Sequence, residues 1–194
     1  MIGVLVSGFG SNLQALIDAG LPVSAVASNR PEARALERAR SAGIATGVFE
    51  LEQYSDRPAR DTAMADWLER QGVTLVVLAG YMHLLTTSFL ERFPLCVINV
   101  HPALLPSFPG HTPVPDALAY GVRWTGVSVH FVDEGVDTGP IILQEPVEVR
   151  DDDDEGSLLE RLHAVEHRLL PEAARLCLDG RVGLQEGSRR VIVS

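Results

Sequence analysis

The sequence predicts an α/β fold: an open, mostly parallel twisted sheet with a Rossmann-like N-terminal half, antiparallel additions and a long C-terminal helix. Three observations carry this. Over the first hundred residues, short runs of almost continuous apolar side chains alternate with stretches of helical spacing, as parallel strands covered on both faces require. After Val100, two β-rich segments follow one another with no helix between them, so they pair antiparallel or lie at a sheet edge. Near the end, Ser157-Leu158-Leu159-Glu160 spells a helix start and opens a long apolar stripe.

In chain order, the strands fall at residues 2–6, 23–27, 45–49, 75–79 and 95–100. The intervening helices fall at 12–19, 32–42 and about 56–70. Residues 101–115 form a Pro/Gly-rich connection with five prolines. Strands at 126–132 and 140–149 follow, then the acidic run 151–155, read as a solvated loop. The last helix buries Leu158, Leu159, Leu162, Val165 and Leu169, with Pro171 kinking or interrupting it. A short hairpin, 182–185 with 190–193, closes the chain. With no repeat and no long linker, the reading is one domain over 1–194, whose halves divide at about residue 100.

The chain has 194 residues, a formal charge of −10 and 46% apolar residues, a globular composition able to bury a real core. All 16 basic residues are Arg, and there is no Lys. That excludes Schiff-base and pyridoxal chemistry and a Walker-type phosphate lysine. The acidic balance argues against a nucleic-acid footprint, which needs a clustered basic face. No apolar run is long enough for a membrane helix, and the N-terminus lacks the basic region of a signal peptide. Cys96 and Cys177, read as buried and unpaired, suit a reducing cytoplasm.

Ser7-Gly8-Phe9-Gly10-Ser11-Asn12-Leu13-Gln14 follows the first strand and opens a helix. Such a loop brings backbone N–H groups and the positive end of a helix to an anion. Ser11 and Gln14 equally spell a capping box, which needs no ligand. A dinucleotide fits poorly: Leu13 stands where the third glycine belongs, and the second strand ends in Ser28-Asn29-Arg30 rather than an acid. An isolated phosphate fits better.

Asn99 interrupts an apolar strand at its C-terminal end, where ligands bind in open α/β sheets, and His101 follows on the same side. An amide beside an imidazole can hold an oxygen that becomes negative during reaction; a turn-forming Asn with a hydrogen-bonded His would look the same. Asp137, in the loop between the two late strands, is either turn chemistry or a carboxylate reaching His101 and raising its pKa. His163-Ala164-Val165-Glu166-His167 spells an inverted zinc-protease motif with no convincing third ligand, so surface histidines are the better reading. Glu166 borders the buried stripe and needs a partner; a pair of sugar hydroxyls would serve.

The segments SGFGSNLQAL, LAGYMHLL, INVHPALLPSFPG, GVSVHFVDEGVDTGPII and AVEHRLLPEAARL together resemble the folate-dependent phosphoribosylglycinamide formyltransferases, over essentially the whole chain. The resemblance implies the formyltransferase fold and 10-formyltetrahydrofolate as co-substrate, with no metal and no covalent intermediate. It implies that Gly10, Ser11 and Asn12 take the substrate phosphate, and that Glu166 meets the ribose. Met82, His83, Leu84 and Leu85, with Asn99, would line the folate pocket, residues 133–137 would close over the pterin, and Arg57 would meet the glutamyl carboxylate. Asn99, His101 and Asp137 would be catalytic, Asn99 and His101 stabilising a tetrahedral intermediate and Asp137 assisting proton transfer. The chain departs from the pattern at His83, where Arg is common, and at His111-Thr112-Pro113-Val114-Pro115-Asp116. A related formyltetrahydrofolate hydrolase is the alternative; it usually carries an N-terminal regulatory domain, whereas here the first strand starts at Ile2. The expected partners are small molecules, with no nucleic acid and no membrane, in a monomer or weak homodimer.

Overall fold

The computed structural model describes all residues, Met1 to Ser194. The fold is α/β, with a mostly parallel seven-stranded sheet, a separate two-stranded sheet and a long C-terminal helix. The chain forms two compact units, Met1–Ile98 and Asn99–Ser194.

The N-terminal unit runs β1 (Ile2–Val6), α1 (Ser11–Asp18), β2 (Val23–Ser28), α2 (Arg34–Ser41), β3 (Ala45–Val48), a 3₁₀ turn (Leu51–Gln53), α3 (Arg57–Arg70), β4 (Leu75–Leu78), α4 (Thr87–Leu90) and the start of β5 (Val97–His101). Its strands lie in the order β3-β2-β1-β4, every pair parallel. Central β1 is buried along its whole length, which is why its sequence is a continuous apolar run rather than an alternating one. Leu13 and Leu16 of α1, Leu36 and Ala39 of α2, and Met64 and Leu68 of α3 are all completely buried. Asp56 caps α3, accepting from Ala59 N–H at 2.8 Å, and Pro58 sits in the first turn, where a missing N–H costs nothing.

Helix α1 begins differently from the capping-box reading. Gly10 is the N-cap, in the left-handed conformation at φ 80°, and no side chain caps the helix. Ser11 lies one position too far in. The Gln14 side chain instead donates to Asp18 at 2.8 Å and accepts from Arg38 at 3.2 Å.

The C-terminal unit continues from β5 through α5 (Pro113–Tyr120), β6 (Trp124–Phe131), β7 (Ile141–Glu148), α6 (Glu155–Leu178), β8 (Val182–Leu184) and β9 (Val191–Val193). Strands β6 and β7 pair antiparallel, as do β8 and β9. Helix α5 begins within the segment read as a Pro/Gly-rich connection. Pro113 and Pro115 fall in its first turn, the one part of a helix that tolerates proline, and the Thr112 hydroxyl bonds Asp116 at 3.0 Å.

Helix α6 corrects two expectations. It starts three residues early: Asp154 accepts from Ser157 N–H at 2.8 Å, and Ser157 Oγ accepts from Asp154 N–H at 3.1 Å, so Ser157 is the third residue of the box rather than the cap. It then runs unbroken for 24 residues through Pro171, which is buried among Leu169, Leu170 and Ala174 on the same stripe. Burial along the packed face outweighs one lost backbone hydrogen bond. The acidic run is also less solvated than expected, since Asp153 pairs with Arg161 and its side chain is 3% exposed. Cys96 and Cys177 are half-buried rather than buried, and neither is in a disulfide. No helix is long and apolar enough to cross a membrane.

Replacing Asp154 by Ala removes one half of the α6 capping box and should lower stability by about 1 kcal/mol, read as an earlier midpoint in urea with an unchanged slope.

Candidate functional site

In the N-terminal unit, helix α2 braces the glycine loop. Ala35 N–H donates to Gly8 O at 3.1 Å, and Arg38 Nε donates to Phe9 O at 3.0 Å. The Arg38 guanidinium lies 4.5 Å from the centre of the exposed Phe9 ring, with Arg34 at 5.4 Å. Only glycine fits at position 10: besides its positive φ, a Cβ there would lie 2.6 Å from Ala35 Cβ and 2.9 Å from Ala35 Cα. The loop is thus a preformed backbone turn at the C-terminal end of β1, leading through Gly10, Ser11 and Asn12 into an α1 terminus that no side chain caps.

The same unit places Met82, His83, Leu84 and Leu85 just beyond β4. Met82 and Leu84 are exposed at 55% and 50%, while Leu85 is buried. The Met82 N–H donates to Ser7 Oγ at 3.0 Å, which ties this loop to the residue where the glycine loop begins. His83 stands against Arg60, and Arg60 pairs with Asp61 by Nε–Oδ1 at 2.8 Å, both charged side chains being fully buried. An imidazole thus stands beside this pair, and the cation beside Asp61 comes from α3. Arg57, the first residue of α3, is exposed and belongs to the positive field that acts on His83.

The C-terminal unit brings Asn99, His101 and Asp137 together. Asn99 and His101 sit on β5, two residues apart. Asp137 reaches them from the β6–β7 loop at φ 52°, an uncommon backbone state for a residue with a side chain. Its Oδ2 accepts from Gly110 N–H at 2.9 Å and lies 3.4 Å from His101 Nδ1. Its Oδ1 accepts from Asn99 Nδ2 at 3.3 Å. His101 Nε2 donates to Phe108 O at 2.8 Å, which puts the second nitrogen, Nδ1, toward the carboxylate. The Pro-rich connection is held for this purpose: Ser128 Oγ donates to Ala103 O at 2.7 Å and accepts from Leu105 N–H at 3.0 Å.

The sequence reading missed His130. It is 2% exposed on β6, its Nδ1 donating to Phe131 O at 2.7 Å, and its Nε2 lies 3.3 Å from Asn99 Nδ2 and 3.5 Å from Asp137 Oδ1. With the proton on Nδ1, Nε2 accepts from the Asn99 amide. A histidine inside a strand buried almost throughout was the available signal. Gly139 completes the corner, because a Cβ there would lie 1.6 Å from Phe131 O, the acceptor that orients His130.

Electrostatics correct one further expectation. Asp137 does act to raise the His101 pKa, as does the Phe108 carbonyl, but burial outweighs both and holds the imidazole below its ordinary value. Burial acts to raise Asp137, and its hydrogen bond from Gly110 together with the facing histidines more than offsets it, so the carboxyl lies below the usual range.

Glu166 lies on α6 at 4% exposure, in the middle of the buried stripe with Leu162 and Leu169 rather than at its border. His163 and His167 stack at 6.0 Å. No group of three or more His, Cys, Asp or Glu side chains is arranged to hold a metal ion.

The family model described as Formyl transferase matches residues 1–174. The chain belongs to the formyl transferase family. Within that family, a Mycobacterium tuberculosis (strain H37Rv) protein named phosphoribosylglycinamide formyltransferase is 47% identical over 175 residues, covering 88% of this chain and 81% of the relative. A solved structure of glycinamide ribonucleotide transformylase 1 from Symbiobacterium toebii matches with a TM-score of 0.95 at 45% identity, covering 99% of this chain and 92% of that one. The trifunctional purine biosynthetic protein adenosine-3 of Chironomus tentans is 42% identical over 193 residues, 95% of this chain; the chain spans only 14% of that relative's length. The formyl transferase core found here is therefore also a module of much longer proteins.

Asp61 is the sole carboxylate the structure pairs with buried Arg60. Asp61→Asn should cost about 3–5 kcal/mol, the penalty for leaving a buried cation uncompensated, as measured by chemical denaturation.

Proposed function

We propose that this chain transfers the formyl group of 10-formyltetrahydrofolate to the primary amine of N1-(5-phosphoribosyl)glycinamide, a step of purine synthesis. The observation that carries this reading is the cluster of Asn99 and His101 on β5 with Asp137 from the β6–β7 loop, in a member of the formyl transferase family. The glycine loop supports it, offering Gly10, Ser11 and Asn12 to a single phosphate. Glu166 is assigned to the ribose hydroxyls. Met82, His83, Leu84 and Leu85, with Asn99, are assigned to the folate, and Arg57 to its glutamyl carboxylate. We assign the reaction to the cytoplasm and to a monomer or weak homodimer, with 10-formyltetrahydrofolate as co-substrate and no step routed through a metal.

The steps follow from proton positions. The amine attacks the formyl carbon, a C–N bond forms, and the carbonyl oxygen becomes an oxyanion. Asn99 Nδ2 donates to that oxygen; its bonds to Asp137 and His130, both 3.3 Å, are long and exchange at small cost. His101, kept uncharged at neutral pH by burial, takes the proton from the newly formed ammonium. Asp137, kept ionised, stabilises the imidazolium so created. The same proton then passes to N10 of the folate as the old C–N bond breaks, releasing tetrahydrofolate and the formylated amine.

The test follows formyl loss from 10-formyltetrahydrofolate by absorbance, with and without the ribonucleotide. Loss that needs the ribonucleotide, with formylated product recovered, is expected. Equal loss without it would make water the acceptor and overturn the reading. Asn99→Ala should lower kcat by about 10²–10³ while leaving KM for both substrates within a few-fold, because the lost contact forms in the transition state.

The pH profile gives a second check. With His101 below the ordinary imidazole value of about 6.5, kcat/KM should rise with pH through an acid limb centred below that value and level off by neutrality. Asp137→Asn removes a group that raises His101, so the limb should move to still lower pH while the plateau falls. A limb that stayed in place would remove Asp137 from the proton path.

A further inference from the structure

Residues 82–86 are tied to their own unit at four points. Ser7 Oγ accepts from Met82 N–H at 3.0 Å, and Asp61 Oδ2 accepts from Thr86 N–H at 2.8 Å. Between them, both ring nitrogens of His83 are engaged: Nδ1 lies 2.7 Å from Arg60 Nη1, and Nε2 lies 3.2 Å from the Asn29 side-chain amide.

The donor inventory fixes the state of this ring. A guanidinium only donates, so Nδ1 must be the bare, accepting nitrogen. The proton of the neutral ring then sits on Nε2. The Asn29 amide that meets it is held on its other side by Ser7, whose hydroxyl donates to Asn29 Oδ1 at 2.6 Å; with the amide turned end for end, its oxygen faces the Nε2–H.

A second proton has no place there. It would set an Nδ1–H against the Arg60 guanidinium. Arg30, at the end of β2, and Arg57, on α3, also face the ring and oppose its charge; Asp61 alone favours it, and that carboxylate already holds Arg60 and the Thr86 N–H. Tyr81, whose ring centre lies 5.9 Å away, brings no charge, since burial pushes its phenol up to about 12. Burial and the three arginines together hold the His83 pKa below its ordinary value.

We infer that His83 is a positioning residue for the folate: Arg60 and Asn29 hold it as the uncharged Nε2–H tautomer, and the ring so held fixes the loop that presents Met82 and Leu84 to the ligand. This rests on the assignment of that loop to the folate under the proposed function. The side chain itself is turned to Arg60, away from the role of a direct ligand. Its state therefore sets where the exposed apolar pair stands.

Two measurements on the intact protein test this. Nitrogen-15 NMR of labelled histidine, with His83→Gln identifying the signal, reports which ring nitrogen carries the proton; Nε2–H is expected, still neutral at pH 6. Calorimetric titration with tetrahydrofolate, under anaerobic conditions, is then compared at pH 7.5 and 5.5. The wild-type protein should lose about five- to tenfold more affinity on acidification than His83→Gln, whose amide accepts from Arg60 and donates to Asn29 at both values. An Nδ1–H tautomer, an ordinary titration, or an identical pH response in His83→Gln overturns the inference, even where tetrahydrofolate binds normally. An Nε2–H tautomer in a protein that binds no tetrahydrofolate instead overturns the folate reading, and the inference with it.

Discussion

Asp137 accepts from the Asn99 amide and the Gly110 N–H while two imidazoles, His101 and His130, face its oxygens, and the C-terminal unit is built to keep it so. Four segments must meet at one carboxylate: the end of β5, the Pro-rich connection, the buried strand β6 and the β6–β7 loop. Each needs its own restraint. Ser128 and Gln144 pin the connection by hydrogen bonds to residues 103 and 105. Gly139 allows the chain to pass close to the Phe131 carbonyl, and that carbonyl fixes the proton on His130. Asp137 itself is held at φ 52°, a state that costs about 1–3 kcal/mol and persists only because its surroundings over-determine it.

The family assignment and the geometry carry different parts of the argument. The match over residues 1–174 places the chain in the formyl transferase family, but says nothing about protonation. That comes from the hydrogen bonds: His101 gives one nitrogen to a carbonyl and turns the other to a carboxylate, while burial keeps the ring uncharged at neutral pH. A ring that is neutral at rest and faces a carboxylate has the properties that the proposed transfer asks of a base.

Much of this was legible in the sequence, for identifiable reasons. The parallel strands were, because burial on both faces makes them continuous apolar runs. The glycine loop, Asn99 and His101 were, because each breaks such a run at its C-terminal end. What stayed hidden depended on contacts between residues far apart in sequence. The Ser11–Gln14 and Ser157–Glu160 spellings pointed to caps one and three residues off, since Gly10 takes its conformation from the close approach of α2 and Asp154 competes better for the start of α6. Pro171 read as a breaker because its packing partners are invisible locally. His130 was passed over inside an apolar strand, although a buried imidazole needs partners as surely as Glu166 does. The sign of the His101 shift required knowing that burial outweighs its anionic neighbour.

Two carboxylates, one in each unit, show how the same side chain serves opposite ends. Asp61 faces Arg60, a cation that never loses its charge, with both side chains fully buried and the remaining oxygen taken by a backbone N–H. Both of its oxygens are thereby taken, and its effect is to fix residues around it. Asp137 is only partly enclosed, and the rings that face it are histidines, a residue type able to gain and lose a proton. A permanent cation at that place would hold the carboxylate more firmly and would leave nothing for a transient imidazolium to gain from it. The all-Arg composition sharpens the contrast: every other cationic side chain in this chain carries a charge that does not titrate near neutrality. Among the cationic side chains a change of charge near neutrality is therefore left to the histidines, and of these His101 has an anion beside it whereas His83 has arginines around it.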